Sequence, residues 1–225
     1  MKAEVERMRV QAILFDLDGT LLDTLEDLAD SVNHILGKYG FPLREKEEVR
    51  ISLGNGSERL MRGMLPQDVK EEAFQKYLAE YKAYYQTHME IKTAPYAGMI
   101  ELLTTLRENG VKIGVVSNKF DAAVKGLCEK HFPLLVDAAA GEREAEGVRR
   151  KPAPDMVLAA AKALGVDAAD CLYVGDSETD ILTAKNAGMD CVSVTWGFRE
   201  EAVLKEAGAV HLVHTPQELR EFILK

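Results

Sequence analysis

The chain has 225 residues, 47% of them apolar, enough for a soluble globular protein built as one large domain or as one domain with an insert. A formal charge of -9 repels nucleic acid phosphates and excludes sequence-independent DNA or RNA binding; an anionic ligand would need locally placed cations. Three widely spaced cysteines, an N-terminus carrying Glu4 and Glu6 instead of an apolar export signal, and no apolar run of the ~20 residues a membrane helix needs predict a cytoplasmic protein with reduced thiols and no membrane partner.

The first predicted strand, Val10–Phe15, runs into Asp16-Leu17-Asp18-Gly19-Thr20. From about Asp23 to Tyr96 no strand is predicted. Thr24 can cap a helix running to about Lys38, with Asp27 three residues into it. A second helix begins near Arg44, a third covers Gly56–Met64, and a long one runs from Asp68 to about His88. About 70 helical residues exceed an ordinary crossover. Residues 23–96 therefore read as a helical cap inserted into a core formed by 1–22 and 97–225, with Pro95 and Gly98 marking the return. Helices and strands then alternate. The helices are Met99–Glu108, Asp121–Lys130, Pro154–Leu164, Thr179–Ala187 and Glu200–Ala207. The strands are Val111–Val116, Leu134–Ala138, Cys171–Val174, Cys191–Thr195 and Val210–Val213. This rhythm predicts an α/β fold, a parallel sheet with helices on both faces. Asn109-Gly110, Gly165 and Gly188 stand where helices should stop.

Two carboxylates, Asp16 and Asp18, lie two residues apart on an extended segment and point the same way. They sit at a strand's carboxyl end, where open α/β sheets place ligands, and Gly19 permits a sharp turn after them. Such a pair is costly without a cation between its members, although Asp-x-Asp-Gly also occurs as a plain turn or cap. Asp176 lies at the end of another strand, and Asp180 four residues later falls on the same face of a starting helix. Asp180 can equally be a first-turn acid that suits the helix dipole. Together the four aspartates offer hard oxygen ligands of the kind that select magnesium, Mg2+. Ser117-Asn118 at a third strand end supplies donors for phosphate oxygens, or forms a simple turn. Lys151, held extended before Pro152, is the candidate fixed positive charge. Its neighbours Arg149 and Arg150 read as a solvated loop.

Asp16-Leu17-Asp18-Gly19-Thr20-Leu21, Ser117-Asn118, Lys151-Pro152 and Gly175-Asp176-Ser177-x-x-Asp180 come in the order and approximate spacing of the haloacid dehalogenase superfamily of phosphotransferases. The chain resembles that superfamily from about Val10 to its C-terminus. Leu22-Asp23-Thr24-Leu25-Glu26-Asp27-Leu28 and Gly54-Asn55-Gly56 resemble its phosphoglycolate phosphatase group. The resemblance implies a Rossmann-like core with a helical cap, and a small phosphorylated metabolite as substrate. It implies that Asp16 attacks phosphorus and becomes an aspartyl phosphate. Asp18 would protonate the leaving alcohol and then activate water. Ser117 and Lys151 would hold the phosphoryl oxygens. Magnesium would be held by the Asp16 carboxylate, the Asp18 backbone carbonyl and Asp176, with Asp180 in support. Gly19, Thr20 and Asn118 are the remaining core positions expected at the substrate. Asn55 and Arg59 are the expected cap positions, Arg59 as a partner for a substrate carboxylate or as a solvated helix arginine.

The chain departs from the group in having Ser52-Leu53, not an aromatic residue, before Gly54. A sugar phosphomutase of the same superfamily would carry His where Leu28 stands, and often Val in place of Thr20. A dehalogenase would lack Asp18, and a phosphonate hydrolase would show a cap lysine. A pyrophosphatase remains open. A receiver-like phosphoacceptor would be about half as long, with its aspartate on the third strand. No Gly-x-Gly-x-x-Gly follows strand one, which removes a dinucleotide site. The five histidines read as surface or core residues. Tyr77, Tyr81, Tyr84, Tyr85, Met61 and Met64 read as cap core.

Overall fold

Four apolar residues, Ala12–Phe15, form strand β1, buried on both faces as the inner strands of a parallel sheet must be. A computed structural model describes residues 10–225; the N-terminal stretch in which no export signal is predicted lies outside them. After β1 come β2 (Leu22–Asp23), α1 (Leu25–Lys38), α2 (Lys46–Ser52), α3 (Gly56–Met64), α4 (Glu71–His88) and β3 (Ala94–Pro95). The second half runs α5 (Met99–Glu108), β4 (Lys112–Phe120), α6 (Asp121–His131), β5 (Ala138–Glu142), α7 (Asp155–Leu164), β6 (Cys171–Gly175), α8 (Glu178–Ala187), β7 (Asp190–Val194), α9 (Glu201–Glu206), β8 (His211–Val213) and α10 (Pro216–Leu224).

Six strands form one parallel sheet in the order β5-β4-β1-β6-β7-β8. Side chains alternate across it. Ile13 and Phe15 join the layer of Leu102, Leu106, Val124 and Leu127, from α5 and α6. Ala12 and Leu14 join the opposite layer of Met156, Val157 and Ala160, from α7. The Rossmann-like architecture expected from sequence is therefore present. β1 lies between β4 and β6, so three strands end side by side at one sheet edge.

Four helices, α1 to α4, fill the interval between β1 and α5, as the strandless stretch implies. The interval is entered and left by one short antiparallel ribbon, in which Leu22 pairs with Pro95 and Asp23 with Ala94. The sequence reading found no strand there, because two-residue strands leave no periodicity. Asp27, in the first turn of α1, is buried, and its carboxylate accepts from the Lys92 and Thr93 N–H groups at 2.9–3.0 Å. That contact ties the outgoing and returning chains together.

Three other differences have plain causes. β5 begins at Ala138, where the expected strand ends, because Leu134 adopts φ 65° at 91% exposure and the chain turns there. Its small residues let α6 approach: a Cβ on Gly141 would meet the Asp121 backbone. β4 runs on past Val116 to Phe120, carrying Ser117, Asn118 and Lys119 inside a strand. α10 was not predicted, although Thr215 caps it by accepting from the Glu218 N–H and Pro216 opens its first turn.

Asp27→Ala should cost about 1–3 kcal/mol, the range for leaving buried donors unpaired. Urea unfolding with an unchanged slope and a lower midpoint would show it; an unchanged midpoint would remove the tether.

Candidate active site

The carboxyl ends of β1, β4 and β6 converge. Directly after β1 the chain turns at Gly19, which has φ 84°. Any Cβ at Gly19 would collide with the Asp176 carboxylate. The Gly19 N–H donates to Leu22 O within the turn, and the Thr20 hydroxyl donates to Asp176 Oδ1 at 3.1 Å. Both residues, expected at the substrate, thus spend these groups on shaping the site. Asp16 is buried, and Asp18 is half-buried with Oδ1 accepting from the Thr24 hydroxyl at 2.6 Å.

Asp176 follows β6 and is buried, its Oδ2 accepting from the Phe198 N–H at 2.7 Å. Asp180 lies in the first turn of α8 and is fully buried. Its Oδ2 accepts from the Ser177 N–H and hydroxyl in a capping box, so its helix-capping reading and its place in the cluster hold together. Gly175 has no room for a Cβ beside the Asp180 side chain. Lys151 reaches in from the loop before α7. Its Nζ donates to Asp16 Oδ1 and Asp180 Oδ1, both at 2.8 Å, and to the Tyr173 hydroxyl at 3.0 Å. Its main chain is held by Asn118, whose side chain accepts from Lys151 N–H and donates to Lys151 O.

Oxygens of Asp16, Asp176 and Asp180 lie within 4.8 Å of one another. Burial is the main force raising the Asp16 carboxyl from 3.8 to about 7; Lys151 opposes it, and Asp180 and Asp18 push it further up. Asp176 is raised well above the usual carboxylate range, first by burial and then by Asp180 and Asp16. Burial works against the charge of Lys151, but Asp16 and Asp180 outweigh it and keep the ammonium charged. Three buried carboxylates lie together and one lysine pairs with two of them, which is the electrostatic shape of a cation site. The donor set is all oxygen and fits a hard divalent cation. Both Asp180 oxygens already accept from Lys151, Tyr173 or Ser177. Asp176 accepts one donor on each oxygen and Asp16 one in all, against two on each oxygen of Asp180, so Asp16 and Asp176 are the carboxylates better placed to ligate, with Asp180 behind them.

On the other side of Asp16 and Asp18, a cavity of about 50 Å³ opens between the sheet edge and the helical segment. Leu28, Leu53, Leu60, Tyr81 and Tyr85 line it from the helical segment, and Ser117, Asn118, Lys119 and Phe120 from β4. Tyr81 and Tyr85, read from sequence as packing residues, are both buried and part of this wall. Of the expected cap positions, Asn55 precedes α3 and Arg59 is exposed, and neither lines the cavity. Gly54 and Gly56 line it in their place, and the Asn118 side chain donates to Gly54 O at 3.0 Å. A second link across the same seam is Arg199, which pairs with Glu178 and donates to Leu53 O at 2.7 Å.

Sequence reasoning missed three members of this arrangement. Tyr173 is an inward residue of a buried strand, which looks like core. Arg199 lies in a loop that carries no motif. Lys119 follows Ser117-Asn118 and reads as a strand-end lysine in water. It is in fact buried, with Nζ 2.9 Å from Asp18 Oδ1 and 2.8 Å from the Tyr85 hydroxyl.

Comparison with known proteins gives one consistent result. The family model for haloacid dehalogenase-like hydrolases matches residues 13–194. A phosphoglycolate phosphatase of Neisseria gonorrhoeae is 33% identical over 215 residues, covering 92% of this chain and 88% of that protein. Phosphoglycolate phosphatase 1 of Pseudomonas aeruginosa is 30% identical over 218 residues, covering 92% and 77%. The crystal structure of a provisionally named phosphoglycolate phosphatase from Lactobacillus delbrueckii subsp. bulgaricus superposes with a TM-score of 0.89 at 37% identity, covering 96% of this chain and 99% of that one.

The charge pattern fixes a pH response. Folded Asp16 keeps its proton up to about pH 7, whereas the unfolded chain releases it near 3.8. Without a divalent cation, stability should therefore fall as pH rises through that window. Added Mg2+ should raise Tm more at pH 7 than at pH 5, since ligating carboxylates must be ionised. Equal shifts at both pH values in thermal melts would count against a cation at these aspartates.

Proposed function

The chain belongs to the haloacid dehalogenase-like hydrolases and is a phosphatase of that family; from that premise we propose that it hydrolyses a small phosphomonoester of the phosphoglycolate kind, through an aspartyl phosphate on Asp16 and with magnesium. The observation that carries this reading is the position of Asp16. One of its oxygens is held by Lys151, while the residue also lines the cavity beside Ser117 and Asp18.

In the proposed reaction, the free carboxylate oxygen of Asp16 forms a bond to phosphorus as the ester P–O bond breaks. Asp18 gives a proton to the departing alkoxide. It then takes one from the water whose oxygen attacks phosphorus and releases Asp16. Ser117 and the Lys151 ammonium bind the phosphoryl oxygens. Magnesium bound by Asp16 and Asp176, with Asp180 behind them, would offset the charge of the phosphoryl group. The helical segment excludes bulk water from the cavity, which strengthens these charge interactions. Cap movement about Asp23 and the Pro95 to Gly98 segment would admit the substrate.

The apolar cavity wall favours hydrolysis over phosphoryl transfer to a sugar. Leu28 lies against the cavity where a mutase of the superfamily would carry its His.

Asp16→Asn should reduce turnover of any phosphomonoester to the uncatalysed background, because an amide cannot form the acyl phosphate. Asp18→Ala should still accept phosphate but release it slowly, so that labelled protein accumulates under acid quench. Steady-state hydrolysis by the first variant would overturn the nucleophile, and absence of trapped label in the second would overturn the role of Asp18. Chelation should abolish turnover, and magnesium should restore it.

A further inference from the structure

Lys119 places a cation on the side of the site that a departing alcohol would occupy, and we propose that it selects substrates whose leaving group is itself negatively charged. The inference rests on the phosphatase reading given above. It assigns the recognition role that sequence reasoning gave to Arg59, which is exposed and away from the cavity.

Lys119 is 7% exposed and is the one cation among the described residues that line the cavity. Its Nζ donates to the Tyr85 hydroxyl, lies 4.4 Å from the Tyr85 ring centroid, and forms an ion pair with Asp18 Oδ1. The surrounding wall of Leu28, Leu53, Leu60, Tyr81 and Phe120 is apolar or aromatic. An ammonium in such surroundings is costly unless an anion answers it. That anion is Asp18.

The two lysines thus mark the two ends of a substrate. Lys151 lies behind Asp16, where phosphorus reacts. Lys119 lies beyond Asp18, where the leaving group must extend if Asp18 is to protonate it. An anionic group on the leaving alcohol can take the place of Asp18 on Lys119. The exchange keeps the ammonium paired and frees the Asp18 oxygen to serve the departing alkoxide. A neutral alcohol offers no such exchange and leaves Asp18 tied to Lys119. In a chain of charge -9, a buried lysine is the means by which an anionic leaving group becomes acceptable. A carboxylate and a second phosphate share this chemistry.

The test compares kcat/KM on phosphoglycolate, pyrophosphate and ethyl phosphate for the wild type and for Lys119→Met, with magnesium throughout. The wild type should prefer at least one anionic substrate over ethyl phosphate by about 100-fold or more, as sites that pair a substrate polar group reject analogues lacking it. The two anionic arms tell a carboxylate from a second phosphate. In Lys119→Met that ratio should collapse to about one or reverse. A wild-type ratio near one, with turnover that still requires Asp16, overturns the role of Lys119 and leaves the phosphatase reading intact. So does an equal loss on all three substrates in the variant, which would mean that Lys119 merely positions Asp18. No turnover on any phosphoester overturns the reading beneath and this inference with it. Thermal melting checks that the variant folds. Glycolate should also inhibit wild-type hydrolysis of ethyl phosphate at concentrations where ethanol does not, and that advantage should vanish in Lys119→Met; equal inhibition by ethanol in the wild type, or unchanged inhibition by glycolate in the variant, overturns the proposal.

Discussion

The Lys151 ammonium, buried between Asp16 and Asp180 and against the Tyr173 hydroxyl, is the contact on which the rest of the site depends. Two carboxylates this close to a third, Asp176, cannot all remain ionised out of water on the strength of one lysine. The fold accepts that cost and arranges much of its surroundings around it. Gly19 and Gly175 remove the Cβ atoms that would collide with Asp176 and Asp180. Asn118 fixes the lysine by its main chain, so its position does not depend on the side chain alone. The residual negative charge then defines what the site can hold: a hard cation and the oxygens of a phosphoryl group.

The helical segment supplies the other half. It enters and leaves through a ribbon two residues long, and Asp27 binds the two passages together. Its far edge touches the sheet edge through Gly54 on Asn118 and Leu53 on Arg199. Asn118 therefore touches both Lys151 and the helical segment, so one side chain holds the lysine and joins that segment to the sheet edge. The cavity is small and mostly apolar, with charge confined to its floor and to Lys119. A covered site of this kind strengthens electrostatic interactions that water would otherwise screen.

Much of this was legible in advance because the acidic residues stand at strand ends. Asp16 and Asp176 each follow a short apolar run, and Gly19 announces a turn after the first; that Gly19 and Gly175 also leave room for Asp176 and Asp180 shows only in the fold. Lys151 was legible because Pro152 restricts the residue before it. Lys119 was not, since a lysine after Ser-Asn looks solvated until Tyr85, 34 residues earlier, is folded over it. Tyr81 and Tyr85 were read as packing residues and are buried, but periodicity does not reveal that they border a cavity. The β5 boundary slipped because apolar Leu134 and Leu135 outscore the alanines that actually pair with β4. There, proximity to α6 overrides strand propensity.

The order of elements, the inserted helices and the chemical type of each strand-end residue follow from the sequence itself, because they depend on local pattern and on neighbours within a few positions. Which charges meet is decided by the sheet. β1 lies between β4 and β6, and that order brings Lys151 to Asp16 across 135 residues and Thr20 to Asp176 across 156. Burial of Lys119 is likewise decided only when the helical segment lies on the sheet edge, since desolvation is a property of the assembled surface and of no single segment.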